Sequence, residues 1–263
     1  MATPARLHAT AFTHQGAARA RHEDTIAVGE WIASEPMSAP AAFEHALAAP
    51  LICLVADGMG GHAAGEVASR AVALHLCRRA AAATDEAAVA KLLHEANAEL
   101  SALMDEHPAW YGMGTTVAGV ALAPSGVIAF NVGDSRVYRI EADGLVQLST
   151  DDTPGPKRPD GRTAVYTSSI ITQVLGGYGP DQPGEQIAPH VLSEPLADGA
   201  RYLICSDGLS DLVDQAAIEA RLGEDGQASV QALFDAAMAQ GGDDNISLLL
   251  LRVRRSLETA ATP

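Results

Sequence analysis

The sequence predicts an α+β fold built on antiparallel sheets. Segments with strand character come in blocks rather than in strict alternation with helices, and the hydrophobic period switches from helical spacing over residues 62–106 to a period of two from Thr115. Strand blocks of this kind close by hairpins, and helical blocks then cover the faces. With 263 residues, 48% of them hydrophobic, the chain has enough apolar material for one large core or two small ones, and a single domain over residues 1–263 is the simpler division.

Residues 6–13 alternate loosely between polar and apolar and are expected as a strand, followed by a loop carrying RARHED and a second strand over 24–32. Residues 34–50 are rich in Ala, Pro and Ser without a period, which suggests a surface insertion. The apolar run 51–56 is a third strand and stops on Asp57-Gly58. Two helices follow, over 62–83 and 86–106; in the second, Val89, Leu92, Leu93, Ala96, Leu100 and Leu103 mark one buried face. Strands over 115–122, 127–132, 136–141 and 145–148, parted by PSG, GDS and ADG turns, read as an antiparallel meander. Residues 151–169 carry too much Pro, Gly and charge for a core element and are expected as an irregular surface loop. A strand near 201–205, helices around 209–222 and 228–240, and a last strand over 246–253 complete the chain, with 256–263 as a frayed tail.

Charge excludes several partners. Lys and Arg number 17 against 33 Asp and Glu, a net charge of -16 that is repelled by nucleic-acid backbones and by anionic lipid, so neither nucleic acid nor membrane is expected as a partner. No charge-free apolar stretch approaches the length of a membrane span. Cys53, Cys77 and Cys205 lie in apolar runs without CxxC spacing, as buried thiols in a reducing compartment do, and cytoplasmic residence is the expectation.

Acidic residues recur where strands stop: Glu23-Asp24, Asp57-Gly58, Gly133-Asp134, Asp207-Gly208 and Asp243-Asp244. One Asp-Gly after a strand is an ordinary turn. Five such sites can gather at one edge of a sheet, where carboxylates repel one another unless cations lie among them. Oxygen donors suit hard ions such as Mg²⁺ or Mn²⁺, and the nine His and three Cys show no zinc spacing. A multi-metal carboxylate site is therefore expected.

Taken in order, RARHED (19–24), VADGMGGH (55–62), MGTT (113–116), NVGDSR (131–136), CSDGLSD (205–211) and GGDDNIS (241–247) resemble the motifs of the PPM, or type 2C, protein phosphatases of bacterial type. The resemblance runs from about Thr10 to about Val253 and is specific through the joint order of the motifs. It implies a four-layer α-β-β-α sandwich of two antiparallel sheets flanked by helices, with the site in a cleft at one end of the sheets. By the same mapping Asp57 bridges two metals, Asp207 and Asp244 hold one, Glu23 and the Gly58 carbonyl hold the other, and Asp24 hydrogen-bonds metal-bound water. Bacterial relatives extend this to a third, weaker site, for which Asp134 and Asp207 are the matching ligands.

The activity implied is hydrolysis of phosphoserine and phosphothreonine in proteins, dependent on two Mn²⁺ or Mg²⁺ per subunit and opposing a bacterial Ser/Thr kinase, by a monomeric signalling enzyme. A water between two cations becomes a nucleophile near neutral pH and attacks phosphorus in line. Arg19 matches the phosphate-binding arginine and would fork onto two phosphate oxygens. His62 matches the general acid that protonates the leaving oxygen, although a helix start after a Gly turn also accommodates it. His14, His22 and Gln173 depart from the common bacterial pattern, and the stretch after Thr153, where relatives carry a flap over the cleft, is short. A pseudophosphatase would lose metal ligands, and Glu23, Asp57, Asp207 and Asp244 are all present.

Overall fold

The computed structural model describes residues 5–60, 64–153, 170–179 and 186–254. In chain order it forms β1 (Arg6–His14), β2 (Thr25–Val28), β3 (Trp31–Ala33), β4 (Ala41–Ala46), β5 (Leu51–Ala56) and β6 (Gly58–Met59), then α1 (Gly65–Arg78) and α2 (Glu86–Glu106). Strands β7 (Gly114–Thr115), β8 (Val117–Ala123), β9 (Gly126–Val132), β10 (Arg136–Glu141), β11 (Gly144–Gln147), β12 (Leu175–Gly176), β13 (His190–Glu194) and β14 (Arg201–Cys205) follow. The chain then forms α3 (Asp207–Ser210), α4 (Gln215–Glu219), α5 (Gly226–Ala239) and β15 (Ile246–Arg254).

Central strands that are apolar on both faces set the layering. Along β5, Cys53 and Val55 pack toward a second sheet, while Ile52, Leu54 and Ala56 pack under helices. β15 divides in the same way: Leu249, Leu251 and Val253 face the other sheet, and Ile246, Leu248 and Leu250 face α5. Burial on both sides explains why these strands read as unbroken apolar runs rather than as alternating ones. One sheet has the order β11-β10-β14-β15-β1-β4 and the other β13-β9-β8-β5-β2-β3, every pairing antiparallel. A small third sheet, β12-β7-β6, lies beside them. Helices α1 and α2 cover the second sheet through Val72, Leu76, Leu92, Leu93 and Leu100, and α5 covers the first through Val230 and Leu233. Asp85 starts α2 by accepting from the Ala88 amide, and Asp225 starts α5 by accepting from Gln227 and Ala228. The architecture is the expected sandwich of two antiparallel sheets between helical layers.

Several local expectations are corrected. The strand expected over 24–32 is a hairpin, because Gly29, at φ 60°, turns the chain back so that β3 pairs with β2. Residues 34–50 are not wholly irregular, since β4 pairs with β1 as an edge strand whose alternating exposure hides its period in an Ala-rich run. The meander is split: β8 and β9 belong to one sheet, β10 and β11 to the other, and the chain crosses between them at Gly133, Asp134 and Ser135. The helix expected over 209–222 is two short ones, α3 and α4, and β13 was not anticipated. Residues 154–169, 256–263 and His62 lie outside the described residues.

Candidate metal centre

The registers place the acidic strand ends at one end of the sandwich. Thr25 pairs with Ala56, so Asp24 and Asp57 leave neighbouring strands on the same side. Cys205 pairs with Leu248 and with Arg136, which brings Asp207, Asp244 and Asp134 to the corresponding end of the other sheet. The backbone of Asp57 is pinned from the end of β7 and the residue after it: its carbonyl accepts from the Thr116 amide at 2.9 Å and from Thr115 Oγ1 at 2.9 Å. The Glu23 carbonyl accepts from Ser69 Oγ at 2.6 Å and from the Gly58 amide at 3.2 Å. A Cβ on Gly58 would stand 2.4 Å from that carbonyl, and one on Gly208 would stand 2.0 Å from the Asn245 carbonyl, so both close approaches require glycine.

Asn245 ties the cleft together, although sequence reasoning gave it no role. Its Oδ1 accepts from the Glu23 amide at 2.7 Å, while its Nδ2 donates to the carbonyls of Gln15 and Arg21 at 2.9 and 3.1 Å. A buried amide beside Asp244 with a strand starting after it was the available signal. A second unanticipated chain runs from Asp24, which is 1% exposed, to Ser247 Oγ at 2.6 Å, on to Thr13 Oγ1 at 2.6 Å and to His22 Nε2 at 3.0 Å. Burial, and then the nearby His14, push the His22 ring down to about 4, so it is neutral at neutral pH. His14 Nδ1 accepts from the Gly16 amide, and Gln173 donates to Asp152 Oδ2 at 2.8 Å; both departures from the family pattern thus have local structural partners.

Like charges dominate the electrostatics. Burial, followed by the carboxylates of Asp24, Asp207 and Asp244, raises Asp57 well above the usual carboxylate range. Burial and Asp244 lift Asp207 to about 6, and burial lifts Asp24 to about 7 against the Ser247 hydrogen bond. Asp134 rises to about 7 through burial and Asp207. Glu23 is raised by burial and by Glu66. Arg19 reaches in from the rim, its Nη2 donating to Asp244 Oδ2 at 2.5 Å, with its side chain 57% exposed.

The arrangement brings together Arg19, Glu23, Asp24, Asp57, Gly58, Asp207 and Asp244, with Asp134 linked through Asp207. Among the described residues no three His, Cys, Asp or Glu side chains are grouped closely enough to hold a metal ion as they stand. Asp244 instead takes the Arg19 guanidinium, while the Asp207 carboxylate lies close enough to Asp57 to help raise its pKa. Asp24 Oδ1, Asp134 Oδ1 and Asp207 Oδ1 are each buried without a partner. Unspent oxygens on mutually repelling carboxylates are the donor chemistry of hard divalent cations, and the residues fit such a group.

Residues 41–248 match the family model described as Protein phosphatase 2C. The chain is 31% identical over 258 residues to the serine/threonine protein phosphatase PstP of Mycobacterium tuberculosis, covering 94% of this chain but only 45% of that protein. To the serine/threonine phosphatase stp of Listeria innocua it is 30% identical over 262 residues, covering 93% of this chain and 95% of that one. The crystal structure of the catalytic domain of PstP in complex with two manganese ions superposes with a TM-score of 0.77 at 28% identity, over 95% of this chain and 99% of that domain.

Proposed function

Because the chain belongs to the protein phosphatase 2C family, we propose that it is a metal-dependent protein serine/threonine phosphatase acting as one catalytic unit. The observation that carries this reading is the convergence of Asp57, Asp207, Asp244 and Glu23, far apart in sequence, on one cleft with Arg19 at its rim. Asp57 would bridge two cations, Asp207 and Asp244 would serve one, Glu23 and the Gly58 carbonyl the other, and Asp134 with Asp207 a third. When bound, divalent cations supply Lewis-acid activation of the attacking water and neutralise charge at phosphorus. The manganese-bound relative favours Mn²⁺, with Mg²⁺ as the other hard ion the donors suit.

The chain's own groups have separable tasks. Arg19 is exposed enough to turn its guanidinium from Asp244 onto two oxygens of a phosphoryl group. Asp24, fixed through Ser247, keeps Oδ1 as an acceptor for a water of the site. The His62 imidazole would give its proton to the leaving serine or threonine oxygen, since an alkoxide leaves poorly. Substrates are phosphoproteins, including targets of a Ser/Thr kinase, in a signalling role. Buried, unpaired Cys53, Cys77 and Cys205 support a reducing, cytoplasmic setting, and large exposed apolar side chains limited, among the described residues, to Val146, Ile170 and Leu192 support a monomer. No helix of the described residues is long and apolar enough to cross a membrane.

The test is hydrolysis of an aryl phosphate and of a phosphoserine peptide before and after chelation. Activity should vanish with chelator and return with Mn²⁺ or Mg²⁺, and Asp57→Asn should lose turnover while remaining folded. Hydrolysis that survives exhaustive chelation overturns the reading.

A further inference from the structure

The first sheet carries a second cluster, of opposite charge, at its far end. Arg252 of β15 lies directly opposite His8 of β1 on one side and Arg201 of β14 on the other. It stands on the order of 25 Å along β15 from Asp244 at the usual strand rise. These side chains share the outer face, the one on which Leu248 and Leu250 pack toward α5. Like charges directly opposite across a sheet are destabilising. Burial, and next to it Arg252, lower the Arg201 pKa, so the fold works against this row rather than gaining from it. In a chain with only 17 Lys and Arg against 33 Asp and Glu, electrostatics of the fold alone do not account for such a grouping.

The cluster lines a cavity of about 170 Å³ together with Thr10, Glu224 and Arg254. Glu224 is the carboxylate that faces it, accepting from Arg252 Nη1 and lying 4.0 Å from Arg254 Nη2. Arg6, opposite Arg254, is already paired with Glu44. Among the described residues, one carboxylate therefore stands against the three guanidinium groups of Arg201, Arg252 and Arg254. Arg201 spends Nη2 on the Gly223 carbonyl at 2.5 Å, and Arg252 Nε is buried with no acceptor. A buried donor left unpaired costs free energy that an incoming acceptor recovers. Asp225 occupies the Gln227 and Ala228 amides of α5, so side chains supply most of the grip on any anion here.

We propose that this pocket is a binding site for a phosphate-class dianion, gripped by Arg201, Arg252 and Arg254 with the Thr10 hydroxyl, while the exposed Glu224 swings to solvent. Two uncompensated positive charges match a dianion better than a carboxylate, and forked guanidinium groups suit its oxygens. The site is independent of the metal cleft and of the reaction assigned to it.

Inorganic phosphate titrated into the chelator-treated protein, with chloride at equal ionic strength as control, tests this by NMR of the arginine Nε–H and backbone amide signals. Chelation keeps the cleft anionic and repellent to phosphate. Saturable shifts should appear at Arg252 Nε–H and Gly226, Arg252→Gln should weaken binding by about tenfold or more, and Glu224→Gln should tighten it. O-phosphoserine in place of phosphate separates the two sources: equal affinity assigns the free ion, tighter binding a phosphorylated segment. Absence of saturable shifts at millimolar phosphate, or affinity unchanged in both variants, overturns the proposal; the Glu224→Gln arm keeps it testable should Arg252→Gln fail to fold.

Discussion

Three hydrogen bonds from one side chain hold the approach to the cleft. Asn245 fixes the Glu23 amide and the carbonyls of Gln15 and Arg21, so it orders both the segment that carries Arg19 and the carboxylate of Glu23. Asn245→Ala removes all three and leaves the Glu23 amide without its acceptor, at about 1–3 kcal/mol. We expect turnover to fall at least ~10-fold and the Mn²⁺ concentration for half-activity to rise, read from metal titrations of aryl phosphate hydrolysis; unchanged metal dependence would confine Asn245 to a purely structural part. His62 is tested differently. A general acid matters only when the leaving group needs a proton, so His62→Gln should cost ~10²-fold on a phosphoserine peptide and little on nitrophenyl phosphate. Equal losses on both would assign His62 to positioning.

Among the elements, the turn from β14 into α3 is one of the tight parts of the site. Gly208 lies against the backbone just ahead of β15, and a Cβ there would stand 2.0 Å from the Asn245 carbonyl. Backbone cannot yield as a flexible side chain can, so Gly208→Ala must push α3 away from the start of β15 and separate Asp207 from Asp244. The expected result is a loss of about 1–3 kcal/mol in thermal or urea unfolding together with most of the turnover. Wild-type stability with wild-type turnover would mean the turn relaxes without disturbing the site. The crossing from β9 to β10 is held by similar means: Asp152 Oδ2 accepts from the Gly133 amide at 2.8 Å, and its Oδ1 pairs with His190 Nε2 at 2.8 Å. That clamp fixes the turn bearing Asp134 to β13, a strand with no strong pattern of its own.

For the molecule as a whole, the carboxylate cluster makes stability depend on pH and on cations together. Asp24 at about 7, Asp134 at about 7 and Asp207 at about 6 all bind protons more tightly folded than unfolded. In the chelated protein these carboxyls hold extra protons between about pH 4 and 7, outnumbering the one proton that His22 gives up on folding, so stability falls as pH rises through that window. Cations reverse the order by stabilising the ionised cluster. Calorimetry should show a chelated Tm several degrees lower at pH 8 than at pH 5.5, about 5 °C or more, and a larger rise with Mn²⁺ at pH 8 than at pH 5.5. A chelated Tm independent of pH over this range would contradict the cluster's mutual repulsion.

The fold class, the long helix starting at Asp85, the central strands and the acidic residues at their ends were legible because each rests on local signals: a cap, a period, an apolar run, an Asp-Gly turn. The motif order supplied the ligand candidates for the same reason, since each lies within a few residues of a recognisable strand end. What remained hidden depended on partners distant in sequence. β4 and β13 are edge strands whose pairing with β1 and β9 decides their state more than their own composition does. The apparent meander divides between two sheets because Gly133 turns the chain across the sandwich, a choice made by packing on both sides and not by the GDS turn itself. Asn245, the Asp24–Ser247–Thr13 chain and the arginine row beside His8 likewise join segments more than 200 residues apart. A sequence states which side chains can bond or repel; only the register of β1 against β15 decided which of them meet.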